Sequence, residues 1–565
     1  MSTAIELAHA WLAQDPDAET RAELRELIER AEAGDADAAA DLDERFAGRL
    51  AFGTAGLRGE LGAGSTRMNR VLVAQAAAGL AAYVLERAGT DAAADPLHAP
   101  LVVVGYDGRR NSDVFARDSA ELFAGAGLRA VLMPRLLPTP VLAFAVRHLG
   151  AAAGVMVTAS HNPPNDNGYK VYLGGADDGS QIVSPADAEI AAHIQRIADA
   201  GDVAALPRLL GYEIAPESLI DAYIDETAAI APAPEGAADL KWVYTAMHGV
   251  GWETLSRILE VAGYPAPTLV SEQIEPDGAF PTVSFPNPEE PGAMDLAFAA
   301  ARDAGADLVI ANDPDADRLA VAIPDDAVEG GWRRLTGNQT GLLLGWRAAR
   351  RATERGFEPG GSLACSLVSS PALEVVARHY GLDFHATLTG FKWISRAPGL
   401  VFGFEEALGY LVNPETVRDK DGVSAAVAML GLVAEARGRG ASVSDLVAEF
   451  ESTFGFFASD QISVRVDDLS VIGRIMGALR ARHPERIGEV AVSQVDDLLE
   501  GADELPPGDV LRFWLDDGSR VVVRPSGTEP KLKVYLDVRG DSADDADERL
   551  RAAAEGVRAL LDELE

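Results

Sequence analysis

Apolar runs of four or five residues recur along the chain, bounded by glycine, proline or aspartate. Leu101 to Val104, Gly154 to Val157 and the two runs inside Asp307 to Ile323 are of this kind. Short runs between turn formers read as buried strands. Stretches with helical spacing lie between them, among them Val71 to Arg87 and Leu137 to His148. Strands alternating with helices predict α/β units with parallel strands. Pro185 to Ala200 reads as a further helix, with Ser184 as N-cap and Pro185 at the first helical position. Ahead of the first unit, Ala4 to Ala13 and Ala18 to Ala33 form a two-helix preface, the second helix packed through Leu24 and Leu27. A helical tail, Ala543 to Leu564, closes the chain.

Punctuation divides this pattern. Pro207 to Pro216, with Gly211 between its prolines, marks a boundary, and a new strand begins just after Leu240. The turn Asp325 to Gly331 marks a second boundary. A third unit runs to about Phe450, and a last one starts near Gln461. Three successive α/β units hint at an old internal repeat. At 565 residues the chain exceeds one core, and about 150 residues per domain suggests three or four.

Composition narrows the function classes. A formal net charge of −39 speaks against nucleic acid and anionic membrane surfaces, which require a basic footprint. The sequence shows no apolar run expected to span a bilayer and no targeting signal, so a cytoplasmic protein is expected. Cys365 is the only cysteine, which rules out an intrachain disulfide or a cysteine metal cage. Its setting, LACSLV, reads as a buried strand. A phosphorylated ligand would be repelled at long range by such an acidic chain, so its site must be a local basic cluster.

Lysine usage helps to find that cluster. The chain has six lysines, Lys170, Lys241, Lys392, Lys420, Lys531 and Lys533; arginine supplies the rest of the 49 Lys and Arg. Lysine can exchange a proton where arginine stays charged, so a sequence this sparing keeps it mainly where arginine will not serve. Five of the six fall in or beside candidate loops.

The first loop is Thr158 to Lys170, TASHNPPNDNGYK, at a strand end; it presents Ser160 and His161 in a frame restricted by Pro163 and Pro164. Phe52 to Gly64 sets five glycines around Arg58, suited to the close approach of an anion. DPDADR places Asp313, Asp315 and Asp317 at alternate positions, followed by Arg318. Clustered carboxylates repel unless a cation holds them, and an all-oxygen set favours a hard ion such as Mg²⁺. An EF-hand fails, because position six is Arg318 and position twelve is Pro324. An aspartyl-phosphate phosphatase with Asp315 as nucleophile stays open.

In the third unit TLTGFKWIS carries Lys392, GFEEALGY carries Glu405 and Glu406, and RDKDGV carries Lys420. Carboxylates on a turn can accept hydrogen bonds from a sugar diol. In the last unit Arg524, Ser526, Gly527 and Thr528 make a donor-rich loop suited to phosphate. His248 sits on a Gly-rich turn with no role read from its neighbours.

TASHNPPNDNGYK, DPDADR, GFEEALGY and RPSGTEPK, in this order, resemble the α-D-phosphohexomutase superfamily of phosphoglucomutases and phosphomannomutases. The GFEEALGY and TGFKWIS forms look most like the phosphoglucomutase branch that also holds phosphopentomutases and sugar-bisphosphate synthases. The resemblance implies four domains around a central cleft, three related α/β domains with mixed sheets and a smaller C-terminal α+β domain, at 1–210, 211–325, 326–455 and 456–565. It implies that Ser160 is the phosphorylated serine and, with Asp313, Asp315 and Asp317, binds Mg²⁺. It places Lys170 and Lys392 at proton transfer, with Arg58 and His161 beside the reacting group. Glu405, Glu406, Lys420 and Arg318 fall to substrate binding, and Arg524, Ser526, Gly527 and Thr528 to the phosphate not transferred. The implied reaction interconverts hexose 1- and 6-phosphates, glucose first, with mannose or a pentose as alternatives and a sugar 1,6-bisphosphate such as glucose 1,6-bisphosphate as activator. A monomer or dimer acting on small sugar phosphates is expected. One position departs: many relatives carry Ser where this chain has Ala407.

Overall fold

The computed structural model describes residues 3–94, 99–354, 360–466, 468–501, 505–526 and 531–564. The chain forms two compact units, residues 1–334 with 413–434, and residues 335–412 with 435–565.

The first unit holds two mixed sheets. In one, Leu101–Tyr106 lies parallel to both Arg129–Leu132 and Ala153–Val157. Asp166–Leu173 then returns antiparallel to Ala153–Val157, and Leu57–Glu60 adds antiparallel to that return strand. The short strand Glu213–Ile214 closes the opposite edge. In the second sheet Leu308–Asn312 is parallel to Trp242–Thr245 and antiparallel to Leu319–Pro324. The inner strands Leu101–Tyr106, Ala153–Val157 and Leu308–Asn312 are largely apolar because helices or loops cover them; Leu308–Asn312 is buried at all five positions.

The N-terminal preface has three helices, Thr3–Gln14, Ala18–Glu32 and Ala36–Phe46, one more than the periodicity predicts. Asp17 and Asp35 cap the second and third through their carboxylates. Trp11, Leu24, Leu42 and Phe46 join the apolar core of the first sheet. The expected Ser184 cap is not formed: the helix is Ala186–Ala200, and Pro185 occupies the N-cap position without a side-chain cap bond. The expectation of no membrane-length run is also corrected. Arg70–Gly89 has the length and composition to cross a bilayer, but 67% of its apolar window is buried in the fold, so core packing accounts for it.

The second unit has one mixed and one antiparallel sheet. Ser362–Ser366 is parallel to Asp383–Thr387 and Leu400–Glu405, and Gly409–Leu411 returns antiparallel to the latter. Cys365 is buried there, as read from its neighbours, and burial pushes its thiol above the usual range. The antiparallel sheet runs in the order Phe456–Arg465, Lys531–Gly540, Arg520–Pro525, Leu511–Leu515, Val490–Asp497, Arg486–Ile487. The C-terminal helix Ala543–Asp562 adds Ala554, Val557 and Leu561 to its core.

Candidate active site

In the first unit the loop after Ala153–Val157 meets the loop after Leu308–Asn312. Ser160 is 2% exposed and has φ +53°, a left-handed conformation that costs a side-chain-bearing residue energy. Its N–H donates to Thr158 Oγ1 at 2.8 Å, and its Oγ donates to Asp313 Oδ2 at 2.9 Å. His161 Nδ1 stands 3.2 Å from the same Oγ. Burial, then the charges of Arg318 and Arg58, push the His161 imidazole well below its usual range, so it is neutral at physiological pH.

Lys170 is not in the loop but on the return strand Asp166–Leu173. Its Nζ donates to Asp315 Oδ2 and to Asp317 Oδ2, both at 2.7 Å. Burial opposes its charge, but the two carboxylates outweigh that and raise the ammonium. Lys420 Nζ lies 2.9 Å from Asp317 Oδ2, so this lysine also meets the acidic loop. Thr139 Oγ1 adds a 2.6 Å bond to Asp315 Oδ2.

All three aspartates are fully buried, and one oxygen of each lies within 4.8 Å of the others. Burial works against charge on Asp315, yet Lys170, Thr139 and Lys420 together hold it well below the carboxylate range. Asp313 moves the other way, raised by burial and by its two acidic neighbours. Asp315 Oδ1 and Asp317 Oδ1 are buried and accept no hydrogen bond among the described residues. A buried carboxylate oxygen without a donor is costly, and a hard cation taking oxygen ligands would satisfy both. The donor set therefore fits a metal ion.

Glycines let the acidic loop seat. A Cβ on Gly249 would lie 2.4 Å from Pro314 Cα, and one on Gly422 would lie 2.2 Å from Arg318 O. Arg318 donates its backbone N–H to Asp313 Oδ1 at 2.9 Å. Arg58 reaches the serine loop through strand pairing: it stands opposite Gly168, and its Nη1 donates to Asn162 Oδ1 at 3.1 Å. The Gly-rich stretch around it is thus partly a strand, Leu57–Glu60. His248, with φ +60°, is buried and bonded to Thr282 Oγ1 at 2.8 Å, inside the loop packing of the second sheet.

The second unit carries the remaining candidates. Glu405 ends the strand Leu400–Glu405, opposite Gly409. Glu406 Oε2 accepts from Ser366 Oγ and Ser369 Oγ at 3.0 Å, and its N–H donates to Ser369 Oγ. Lys392 lies on the one-turn helix Phe391–Ile394, entered through Gly390 at φ +108°. Arg524 is the penultimate residue of the strand Arg520–Pro525, opposite Lys533, and hydrogen-bonds Tyr535. Ser526 N–H donates to Lys531 O at 2.8 Å. Gly527 and Thr528 lie outside the described residues.

Two residues of the first site escaped sequence reasoning. Thr139 precedes a proline in an ordinary helix start, TPV. Arg109 sits beside Arg110 in the turn YDGRRNS, where nothing separates the two. In the fold Arg110 is exposed and paired with Glu19, whereas Arg109 is buried against the serine loop.

Four family models match in order: phosphoglucomutase/phosphomannomutase α/β/α domain I over residues 49–200, domain II over 221–327, domain III over 336–454, and the C-terminal domain over 464–555. A Haemophilus influenzae protein named a probable phosphomannomutase is 54% identical over 87% of this chain and 98% of its own length. A phosphopentomutase of Mus musculus is 34% identical over 93% of this chain and 89% of its own. A solved phosphoglucomutase/phosphomannomutase family protein from Burkholderia thailandensis shares the fold, with TM-score 0.69 and 20% identity over 92% of this chain and 98% of its own.

Proposed function

The chain belongs to the phosphoglucomutase/phosphomannomutase family, the α-D-phosphohexomutases, and is a phosphomutase; on that premise we propose that it interconverts hexose 1-phosphate and hexose 6-phosphate through a phosphoserine at Ser160. The observation that carries this reading is the bond from Ser160 Oγ to Asp313, in a buried loop that also holds two lysines and two unpartnered carboxylate oxygens.

A serine hydroxyl is a weak nucleophile, but its phosphate ester is a phosphoryl donor whose transfer needs mainly positioning and charge neutralisation. The ester bond at Ser160 Oγ breaks as a sugar hydroxyl bonds to phosphorus, leaving a bound 1,6-bisphosphate. After the sugar turns over, Ser160 recovers a phosphoryl group from the other end. Asp313, Asp315, Asp317 and Ser160 would hold a hard divalent cation such as Mg²⁺, which when bound supplies positive charge to the transferring group. Arg58, Lys420 and Arg318 add charge on the protein side. Lys170, held protonated by two carboxylates, suits the acid role, and Lys392 takes the hydroxyl proton. Neutral His161 can hydrogen-bond the serine oxygen without carrying charge. Glu405 accepts from sugar hydroxyls, with Glu406 orienting its turn, and Arg524, Ser526, Gly527 and Thr528 grip the phosphate not transferred. Glucose 1,6-bisphosphate would restore phosphate to a spent Ser160.

Glucose is the proposed sugar; the 54% identity to a protein named a probable phosphomannomutase favours mannose as a second reading. Mass spectrometry of protein purified without phosphatase should find phosphate on Ser160, and Ser160→Ala should abolish interconversion. A panel of glucose, mannose, ribose, deoxyribose and glucosamine phosphates, with bisphosphate present, decides the sugar. Normal turnover by Ser160→Ala would sink the phosphoserine route.

A further inference from the structure

We propose that Arg109 is the positioning residue of the serine loop, a buried guanidinium from which the loop hangs by its backbone carbonyls and which thereby sets where the Ser160 oxygen points. The inference rests on the phosphoserine reading above.

Arg109 is 4% exposed, on the turn after Leu101–Tyr106. Its Nη2 donates to Ser160 O at 2.6 Å and to Asn162 O at 2.5 Å. Its Nη1 donates to Pro163 O at 2.8 Å and to Asp166 O at 3.1 Å. Four carbonyls of one short loop therefore converge on one fork. Such oxygens repel one another, and a planar cation with two terminal amino groups answers them where a point-charge ammonium could not span the set.

The fork is itself fixed from two further directions. Asp107 Oδ2 lies 3.7 Å from Arg109 Nε, and Asp107 Oδ1 accepts from Arg109 N–H at 3.0 Å and Ser112 Oγ at 2.7 Å. The Phe280 ring covers the guanidinium, with Cζ 4.9 Å from its centroid. Phe280 has φ +48°, and nearby Gly278 packs so closely that a Cβ there would meet Arg110 N and Gly108 O at 2.9 Å. The segment that follows the short strand Thr268–Leu269 thus clamps Arg109 against the serine loop.

Arg109 touches neither Ser160 Oγ nor Asp313, Asp315 or Asp317 through any of these bonds; it acts on the serine loop through the backbone. A nucleophile displaced by about 1 Å loses on the order of 100-fold in rate, while sugar binding by other loops is untouched. A misplaced phosphoserine is also open to water. Loosening Arg109 should therefore lower kcat, spare KM and divert phosphoryl groups to hydrolysis.

The test compares full-length wild type, Arg109→Lys, Phe280→Leu and Arg110→Lys. Steady-state rates, the ratio of phosphate released to sugar phosphate isomerised, and hydrogen exchange over 158–168 are measured. Arg109→Lys should show kcat down roughly 100-fold, KM within a few-fold, a raised hydrolysis ratio and faster loop exchange. Phe280→Leu, which keeps the guanidinium, should show the same signature at smaller size and covers the case in which Arg109→Lys fails to fold. Arg110→Lys should match wild type. An unchanged hydrolysis ratio and unchanged loop exchange in both Arg109→Lys and Phe280→Leu overturn the proposal. A wild type without phosphate on Ser160, whose loop exchange still quickens in Arg109→Lys, overturns the phosphoserine reading and leaves the positioning role standing.

Discussion

Lysine is rare in this chain, and the fold puts two of its six lysines on one acidic loop. Lys170 and Lys420 are 5% and 8% exposed and both reach Asp317 Oδ2. A compact ammonium fits between carboxylates that are also shared with Thr139, where a guanidinium would need more room. Lys392 lies on a separate one-turn helix and is the lysine proposed to take the sugar hydroxyl proton. Lys392→Arg keeps the charge but not the exchangeable proton, so kcat should fall by about 10²- to 10⁴-fold with KM little changed. Full activity of Lys392→Arg in the mutase assay would reduce its role to charge. The aspartates and the lysines stood out in the sequence because their residue types are unusual for their settings, and Ser160 stood out only once the other loops were set beside it. Arg109 and Thr139 did not: an arginine on a turn and a threonine at a helix start are common, and only tertiary packing shows what they hold.

One element recurs in three of the sheets. An inner strand that pairs in parallel with a neighbour ends in a site loop and returns as an antiparallel strand. Ala153–Val157 leads through Ser160 to Asp166–Leu173, and Leu308–Asn312 leads through the aspartates to Leu319–Pro324. Leu400–Glu405 leads through Glu406 to Gly409–Leu411. Each loop bends at a non-glycine residue of positive φ: Ser160 at +53°, Ala316 at +53° and Leu408 at +62°. The apolar runs were readable, and with them the hint of a repeat. The return strands were less so, because Asp166 to Lys170 carries polar residues and a glycine, and pairing with Leu57–Glu60 and Ala153–Val157 overrides that local composition.

Lys420 is aimed by the carboxylates on either side of it. Asp419 accepts from Tyr172 Oη at 2.8 Å and from Gln181 at 2.7 Å. Asp421 accepts from Tyr223 Oη and from the N–H groups of Val423 and Ser424 at the start of the helix Gly422–Gly438. Burial outweighs these bonds and pushes the Asp421 carboxyl up to about 6, from an ordinary 3.8. The folded form then holds its proton more tightly than the unfolded chain. Its stabilising effect is complete below about pH 4 and is lost as pH rises through 6, by about 3 kcal/mol for a shift of about two units. Asp421→Asn keeps an acceptor for the helix N–H groups and removes the titration. Denaturant unfolding should find its stability, relative to wild type, rising by about that amount between pH 4 and 7. A flat difference across that range would show that Asp421 ionises normally in the fold.

At the scale of the whole molecule, the charge balance opposes the proposed substrate. With 88 acidic and 49 basic side chains, the chain presents −39 to a sugar phosphate approaching from a distance. On the proposed function, attraction falls to local cations: Arg58, Lys170, Lys420 and Arg318 in one unit, Lys392 and Arg524 in the other. The two fields differ in reach. At about 0.01 M ionic strength the Debye length is about 30 Å and the net charge is felt well outside the protein; at about 0.1 M it is about 10 Å, while close buried pairs are screened much less. Added salt should therefore relieve repulsion before it weakens capture. The kcat/KM for the hexose phosphate should rise, roughly two-fold, as NaCl goes from about 10 to 100 mM, then fall at higher salt. The measurement holds free Mg²⁺ and bisphosphate constant, since both interact with the same charges. A monotonic fall from the lowest salt would mean that the local cations outweigh the net charge even at about 30 Å, and that the acidic surface plays no part in substrate approach.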